Sequence, residues 1–216
     1  MSDQTPVAAK TPILLGTRNP AKQDTLRWLL EELPLSPVTP DQLGLQAAPE
    51  ETGDSHEAIA RVKAQDWSRA GSMLALASDG GLLIPALGSR WESRYTHRFA
   101  GPAADDARRQ DCLLELMRPY RGDNRKATWV EALAVADQGR LLASWELKGA
   151  TGTIADRQAG PPQTSGFWAC SLWYFPECDK TYNQLSPQER EKLDDHWVRL
   201  RRLIQGFFHR HLAPAG

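Results

Sequence analysis

Apolar residues fall along this chain in short runs separated by longer amphipathic stretches. Ile13-Leu14-Leu15 reads as a buried strand over 12–17, broken at Gly16 by Thr17, Arg18, Asn19 and Pro20. A helical period follows over 21–33, with Leu26, Leu29, Leu30 and Leu33 on one face. Residues 34–50 are proline-rich and hold one short strand within a loop. Asp54 can cap a helix with Glu57 three positions on, and that helix runs to about Ala70 with Ile59, Val62 and Trp67 inward. The run 73–78 predicts a buried strand, broken at Asp79-Gly80-Gly81 before a second apolar run. A loop over 89–101 carries arginines and aromatics, and a helix over 103–118 turns Cys112, Leu113 and Leu116 inward. Alternation over 127–136 and 140–148 predicts a hairpin around Asp137-Gln138-Gly139, with a further short strand at Thr151–Ala155. Residues 156–166 read as a flexible or lid-like loop, and 172–175 as one more strand. The last helix is expected over 186–211, its stripe formed by Leu193, Trp197, Leu200, Ile204 and Phe208.

Helices between strands early and a hairpin late make an α/β chain with a mixed sheet. No repeat and no linker interrupts it, so one domain with two lobes and a groove between them is expected. At 216 residues it can bury a sizeable core. Its 26 basic and 27 acidic side chains give no global field for nucleic acid, so no stable nucleic-acid partner is expected. No apolar run approaches the roughly 18 residues of a membrane span. With no secretory signal and only three cysteines, a cytoplasmic protein without disulfides is the expectation.

Four stretches carry candidate chemistry. In "GTRNPAK" a strand tip turns into a helix whose first turn holds Lys22, where the helix dipole disfavours a cation. Thr17, Asn19 and Lys22, with the backbone N–H groups of the helix start, can hold a phosphate; the same stretch is also ordinary strand–turn–helix chemistry. The carboxylates of Glu50 and Glu51, before the second helix, suit a hard cation such as Mg²⁺ or a solvated acidic loop. Asp79 at a strand tip beside two glycines suits either a ligand site or a tight turn. Phe167 and Trp168 after a glycine can stack on a nucleobase whose edge His196 contacts, or they can be core beside a rim histidine.

Taken in order, these motifs resemble the Ham1/inosine triphosphatase family over residues 12–205. The family's T-x-N-x-x-K is Thr17, Asn19 and Lys22; its E-T-G is Glu51-Thr52-Gly53, followed by Lys63-Ala64. Its A-D-D-S-G-L is Ala77-Ser78-Asp79-Gly80-Gly81-Leu82, and a following A-L-G is Ala86-Leu87-Gly88. "YTHRFAG", Gly152-Thr153-Ile154, the stretch Gly166–Cys170, "KTYNQL" and Asp195-His196-Trp197 continue the correspondence. The resemblance implies an elongated two-lobed domain over 12–211, behind a disordered tail at 1–11, with a long mixed sheet flanked by helices. It implies Mg²⁺-dependent hydrolysis of deaminated purine nucleoside triphosphates to monophosphate and pyrophosphate, and a homodimer by analogy. Thr17, Asn19, Lys22 and Lys63 would hold phosphate, and Asp79 with Glu50 or Glu51 the metal. Asp79 would be the catalytic carboxylate, with Gly80, Phe167, Trp168 and His196 at the base.

The departures cluster. Ser78 stands where the family has its first aspartate, and Ile59 where it has an asparagine. Cys170 and Trp197 replace an aspartate and an arginine at the base end, and Glu191 a lysine. Two alternatives therefore stay open: the same chemistry with a changed base preference, or a silent relative that binds nucleotide or a protein partner.

Overall fold

A computed structural model describes residues 10–46, 49, 52–158 and 167–212. A seven-stranded sheet runs through them in the order β2-β1-β3-β4-β5-β6-β7. The strands are β1 Thr11–Leu15, β2 Leu35–Val38, β3 Leu74–Leu83, β4 Lys126–Asp137, β5 Arg140–Ile154, β6 Trp173–Phe175 and β7 Lys180–Thr181. The helices are α1 Pro20–Leu30, α2 His56–Gly71, α3 Asp106–Met117, α4 Pro187–Lys192 and α5 His196–His211. β1 pairs in parallel with β2 and β3, and the remaining pairings are antiparallel. The expected α/β architecture with a mixed sheet is the one observed. Pro37 fits because β2 is an edge strand, where a missing N–H costs no ladder bond.

Strand alternation sorts the two faces. Ile13 and Leu15 of β1 and Leu74, Leu76 and Leu82 of β3 join one large cluster with Leu26, Leu29 and Leu30 of α1 and Leu200, Ile204 and Phe208 of α5. Leu14 and Ala75 face the other way, onto Trp67 of α2. On that second face Ala60 and Ala64 of α2 meet Ala77, Ala132, Ala134 and Ala136. Methyl-sized side chains on both partners bring helix and sheet backbones close, which later fixes how far α2 side chains reach.

Four local expectations are corrected. β3 does not stop at Ser78; Asp79, Gly80 and Gly81 pair in register with Ala132, Glu131 and Val130, because β4 supplies a full-length partner. Thr151–Ile154 is the far end of β5 rather than a separate strand. The N-cap of α2 is Ser55, whose hydroxyl accepts from the Ala58 N–H at 3.1 Å, so Asp54 lies outside the helix. The last helix is two: Asp194 adopts φ 49°, and Asp195 then caps α5. The hairpin closes as expected through Gln138 and Gly139, both at positive φ (49° and 83°), the pattern of a type I′ turn.

Ser55→Ala removes the α2 cap and should lower stability by about 1 kcal/mol. Urea denaturation followed by far-ultraviolet circular dichroism measures it, and no loss would show that α2 is held by packing alone.

Candidate active site

β1 ends at Leu15, opposite Leu76, while β3 runs on for seven residues with β4 alone beside it. That missing length of strand is a gap in the sheet, and both helix layers reach into it. From one side the chain leaves β1 through Gly16 and Thr17 into α1. Thr17 Oγ1 accepts from the Asn19 N–H (3.1 Å), and Asn19 Oδ1, as N-cap, accepts from the Lys22 N–H (3.2 Å). From the other side α2 presents His56 and Lys63, two helical turns apart and both buried. The cavity between them, about 280 Å³, is lined by Thr17, Asn19, Lys22, Lys63, Asp79, Gly80, Arg94, Thr96, His97, Arg98, Trp129, Phe167 and Trp168.

Asp79 stands in the middle of β3 and faces the α2 side. Its Oδ2 is 2.6 Å from His56 Nδ1 and its Oδ1 is 3.6 Å from Lys63 Nζ. His56 Nε2 is 3.0 Å from Ser93 Oγ, so the ring is gripped at both nitrogens. Burial opposes charge on Asp79, yet the hydrogen bond to His56 and the charges of Lys22 and Lys63 hold its carboxyl below the usual range. Lys63 is pushed down to about 8, first by burial and then by the neighbouring Lys22, with Asp79 and Glu131 acting in the opposite direction. Glu131, on β4, is fully buried; its Oε2 accepts from Trp129 Nε1 (2.8 Å), and its Oε1 lies 3.8 Å from Lys22 Nζ.

The fold thus brings together the sequence candidates Thr17, Asn19, Lys22, Lys63, Asp79 and Gly80, with Phe167 and Trp168 at one end. Trp168 is 2% exposed and stacks on Phe99 at 5.5 Å between ring centroids. His196 lies apart, in a second cavity of about 510 Å³ that, among the described residues, shares only Trp129 and Phe167 with the first. Cys170, Tyr182, Arg190, Glu191, Asp195 and Trp197 line this second cavity, and burial pushes the Cys170 thiol up, keeping it neutral. His196 Nδ1 is 3.0 Å from Asp195 Oδ1, which also accepts from the Tyr182 hydroxyl at 2.9 Å. Glu50 and Glu51 lie outside the described residues, and among the described residues no group of three or more His, Cys, Asp or Glu side chains is placed to hold a metal.

Sequence reading passed over His56 and Glu131. His56 precedes Lys63 by seven, a two-turn spacing that puts both on one helix face. Glu131 is a lone carboxylate in "TWVEALAVA", a strand apolar on both faces. Its presence there was the signal, since a buried charge needs a partner.

The Ham1 family model matches residues 13–205. The chain belongs to the Ham1 family. It is 31% identical to a dITP/XTP pyrophosphatase of Thermus thermophilus over 90% of this chain and 91% of the relative. It is also 31% identical to a dITP/XTP pyrophosphatase of Rhodopseudomonas palustris, over 84% of this chain and 85% of that one. Among solved structures, a HAM1 protein from Coxiella burnetii superposes with a TM-score of 0.74 at 26% identity, covering 91% of this chain and 99% of the other. This Ham1-family chain keeps the strand–turn–helix corner and the β3 carboxylate of the family pattern, and departs from it at Ser78, Gly80 and Cys170.

Lys63 carries its charge below about pH 8 and loses it above. Metal-free binding of inorganic triphosphate should therefore weaken as pH rises from 7 to 10, the bound anion moving the midpoint above 8. Lys63→Met should bind more weakly at pH 7 and flatten the profile in calorimetric titration. An unchanged profile would remove Lys63 from the anion site.

Proposed function

We propose that this protein is a nucleoside-triphosphate pyrophosphatase acting on deaminated purine nucleotides, as the names of its dITP/XTP pyrophosphatase relatives suggest. The observation that carries the reading is Asp79, held between His56 and Lys63 in a groove that two lysines enter from opposite faces of the sheet. Ammonium groups on both sides and a helix start on one suit a polyphosphate chain, not a single phosphate.

Thr17, Asn19 and Lys22 hold one end of the triphosphate and Lys63 the other. Their charges offset the negative charge that accumulates as the bond between the α and β phosphates breaks. Asp79, ionised and fixed by His56, orients water for attack at that anhydride. The products are the monophosphate and pyrophosphate. Mg²⁺ commonly uses one or two carboxylates together with substrate phosphate oxygens. Asp79 offers one hard oxygen ligand in the groove, with Glu50 or Glu51 proposed as the second. The metal's contribution is to neutralise phosphate charge. Positioning and charge account for the catalysis, and no side chain need form a covalent intermediate.

Phe167, like Trp129, lines both cavities. The base passes it, with Phe167 and Trp168 at its face and His196 at its edge. A second reading concerns the base alone. The cavity beside His196 holds Cys170 and Trp197 where the family pattern has an aspartate and an arginine, and a site without those polar groups discriminates differently.

Pyrophosphate release with Mg²⁺ across common and deaminated nucleoside triphosphates tests both readings. Preference for inosine or xanthosine triphosphate supports the first and preference for another base the second. No release from any of them rejects the enzyme assignment. Asp79→Asn should lower kcat by about 10²-fold or more, and should also cost folding stability because His56 and Lys63 lose their buried carboxylate. A variant with wild-type kcat would take Asp79 out of the chemistry.

A further inference from the structure

Glu131 is used by none of the steps above, yet it is a fully enclosed charged side chain beside Lys22: it is 0% exposed, and among the described residues its Oε1 has no hydrogen-bond partner. Lys22 Nζ lies 3.8 Å from that oxygen. Glu131 pairs directly with Gly80 across β3 and β4, and a Cβ at position 80 would overlap its carboxylate. The glycine is what lets the side chain lie there. Directly paired and alternate residues share a face, so Ser78, Gly80 and Glu131 all point to the α1 side, opposite to Asp79. Among the described residues the Ser78 hydroxyl, also buried, has no hydrogen-bond partner either.

Ser78 stands where the family pattern has its first aspartate and Gly80 where it has a serine. The face that has no carboxylate at 78 on β3 carries one on β4, in the space left by the absent side chain at 80. We propose that Glu131 is a positioning residue that replaces the carboxylate absent at 78 and acts on bound phosphate through Lys22. Without it two ammonium groups would face each other in a half-enclosed groove, and Lys22 would withdraw from the phosphate site.

This proposal rests on the groove being a phosphate site, and inorganic triphosphate tests it without requiring turnover. Metal-free calorimetric titration compares wild type, E131Q, Lys22→Met and the double variant. Gln keeps an acceptor for Trp129 Nε1, and Glu131→Met, of similar length and uncharged, repeats the comparison. E131Q should weaken triphosphate binding at least fivefold. In the Lys22→Met background the same change should matter less than twofold, because contacting residues that act through one another are not additive. Ser78→Asp added to E131Q should recover at least half of the loss on a logarithmic scale. Unchanged or tighter binding by E131Q, or additive effects of the two changes, overturns the positioning role. Absence of recovery by Ser78→Asp overturns the replacement of the carboxylate at 78. If triphosphate binds and responds as stated while no nucleotide is hydrolysed, the pyrophosphatase reading fails and the role of Glu131 stands.

Discussion

Two ammonium groups must be kept side by side, out of bulk water, and the groove depends on how that is achieved. Lys22 and Lys63 come from helices on opposite faces of one sheet and reach the same gap. Burial lowers the affinity of Lys63 for its proton, and the charge of Lys22 lowers it further. A carboxylate on each face answers: Asp79 for Lys63, Glu131 for Lys22. The arrangement is neutral in pairs yet keeps the cationic heads at the cavity wall. A polyphosphate entering it meets positive charge that is already in place, so little reorganisation is needed when charge builds up during reaction.

The gap itself is a consequence of strand lengths. β1 has five residues and β3 ten, so β3 outlasts its parallel neighbour and its second half carries Asp79 and Gly80 past the sheet's covered part. The antiparallel partner β4 keeps that overhang straight, which is why Asp79-Gly80-Gly81 is strand and not turn. The alanine-on-alanine contact under α2 sets the helix close enough for His56, a side chain of modest length, to reach Asp79 at 2.6 Å. Packing and chemistry are therefore one problem here. A larger residue at 60 or 64 would lift α2 and lengthen the contact that fixes the carboxylate.

The elements of the fold were legible where a local pattern decided them. The α1 stripe, the Gln138–Gly139 hairpin and the short β2 strand all follow from spacing and turn chemistry. Asp-Gly-Gly misled because its local preference is for a turn, and only the ten-residue register with β4 overrides it. The break before α5 was missed because the apolar stripe runs through it; Asp194 at positive φ interrupts the backbone without interrupting the hydrophobic spacing. In the site, residues belonging to ordered motifs were legible, while His56 and Glu131 were not, since their partners are 23 and 109 positions away in the chain. Nothing local ties Glu131 to Lys22.

The lysine in the first turn of α1 shows why such a residue cannot be understood from its own helix. The dipole there disfavours a cation, and the family pattern suggests that substrate phosphate offsets it. The structure supplies an offset inside the protein, the carboxylate of Glu131 on the far strand. That carboxylate in turn is tolerated only because position 80 has no side chain, and the serine at 78 leaves the same face without a competing charge. Three positions that look like independent oddities in the sequence, Ser78, Gly80 and Glu131, thus lie together on one face of β3 and β4, with the negative charge on β4. Lys22 faces a carboxylate although Ser78 carries none. For that reason degraded motifs around an intact lysine are weaker grounds for inferring a silent site than the sequence makes them look.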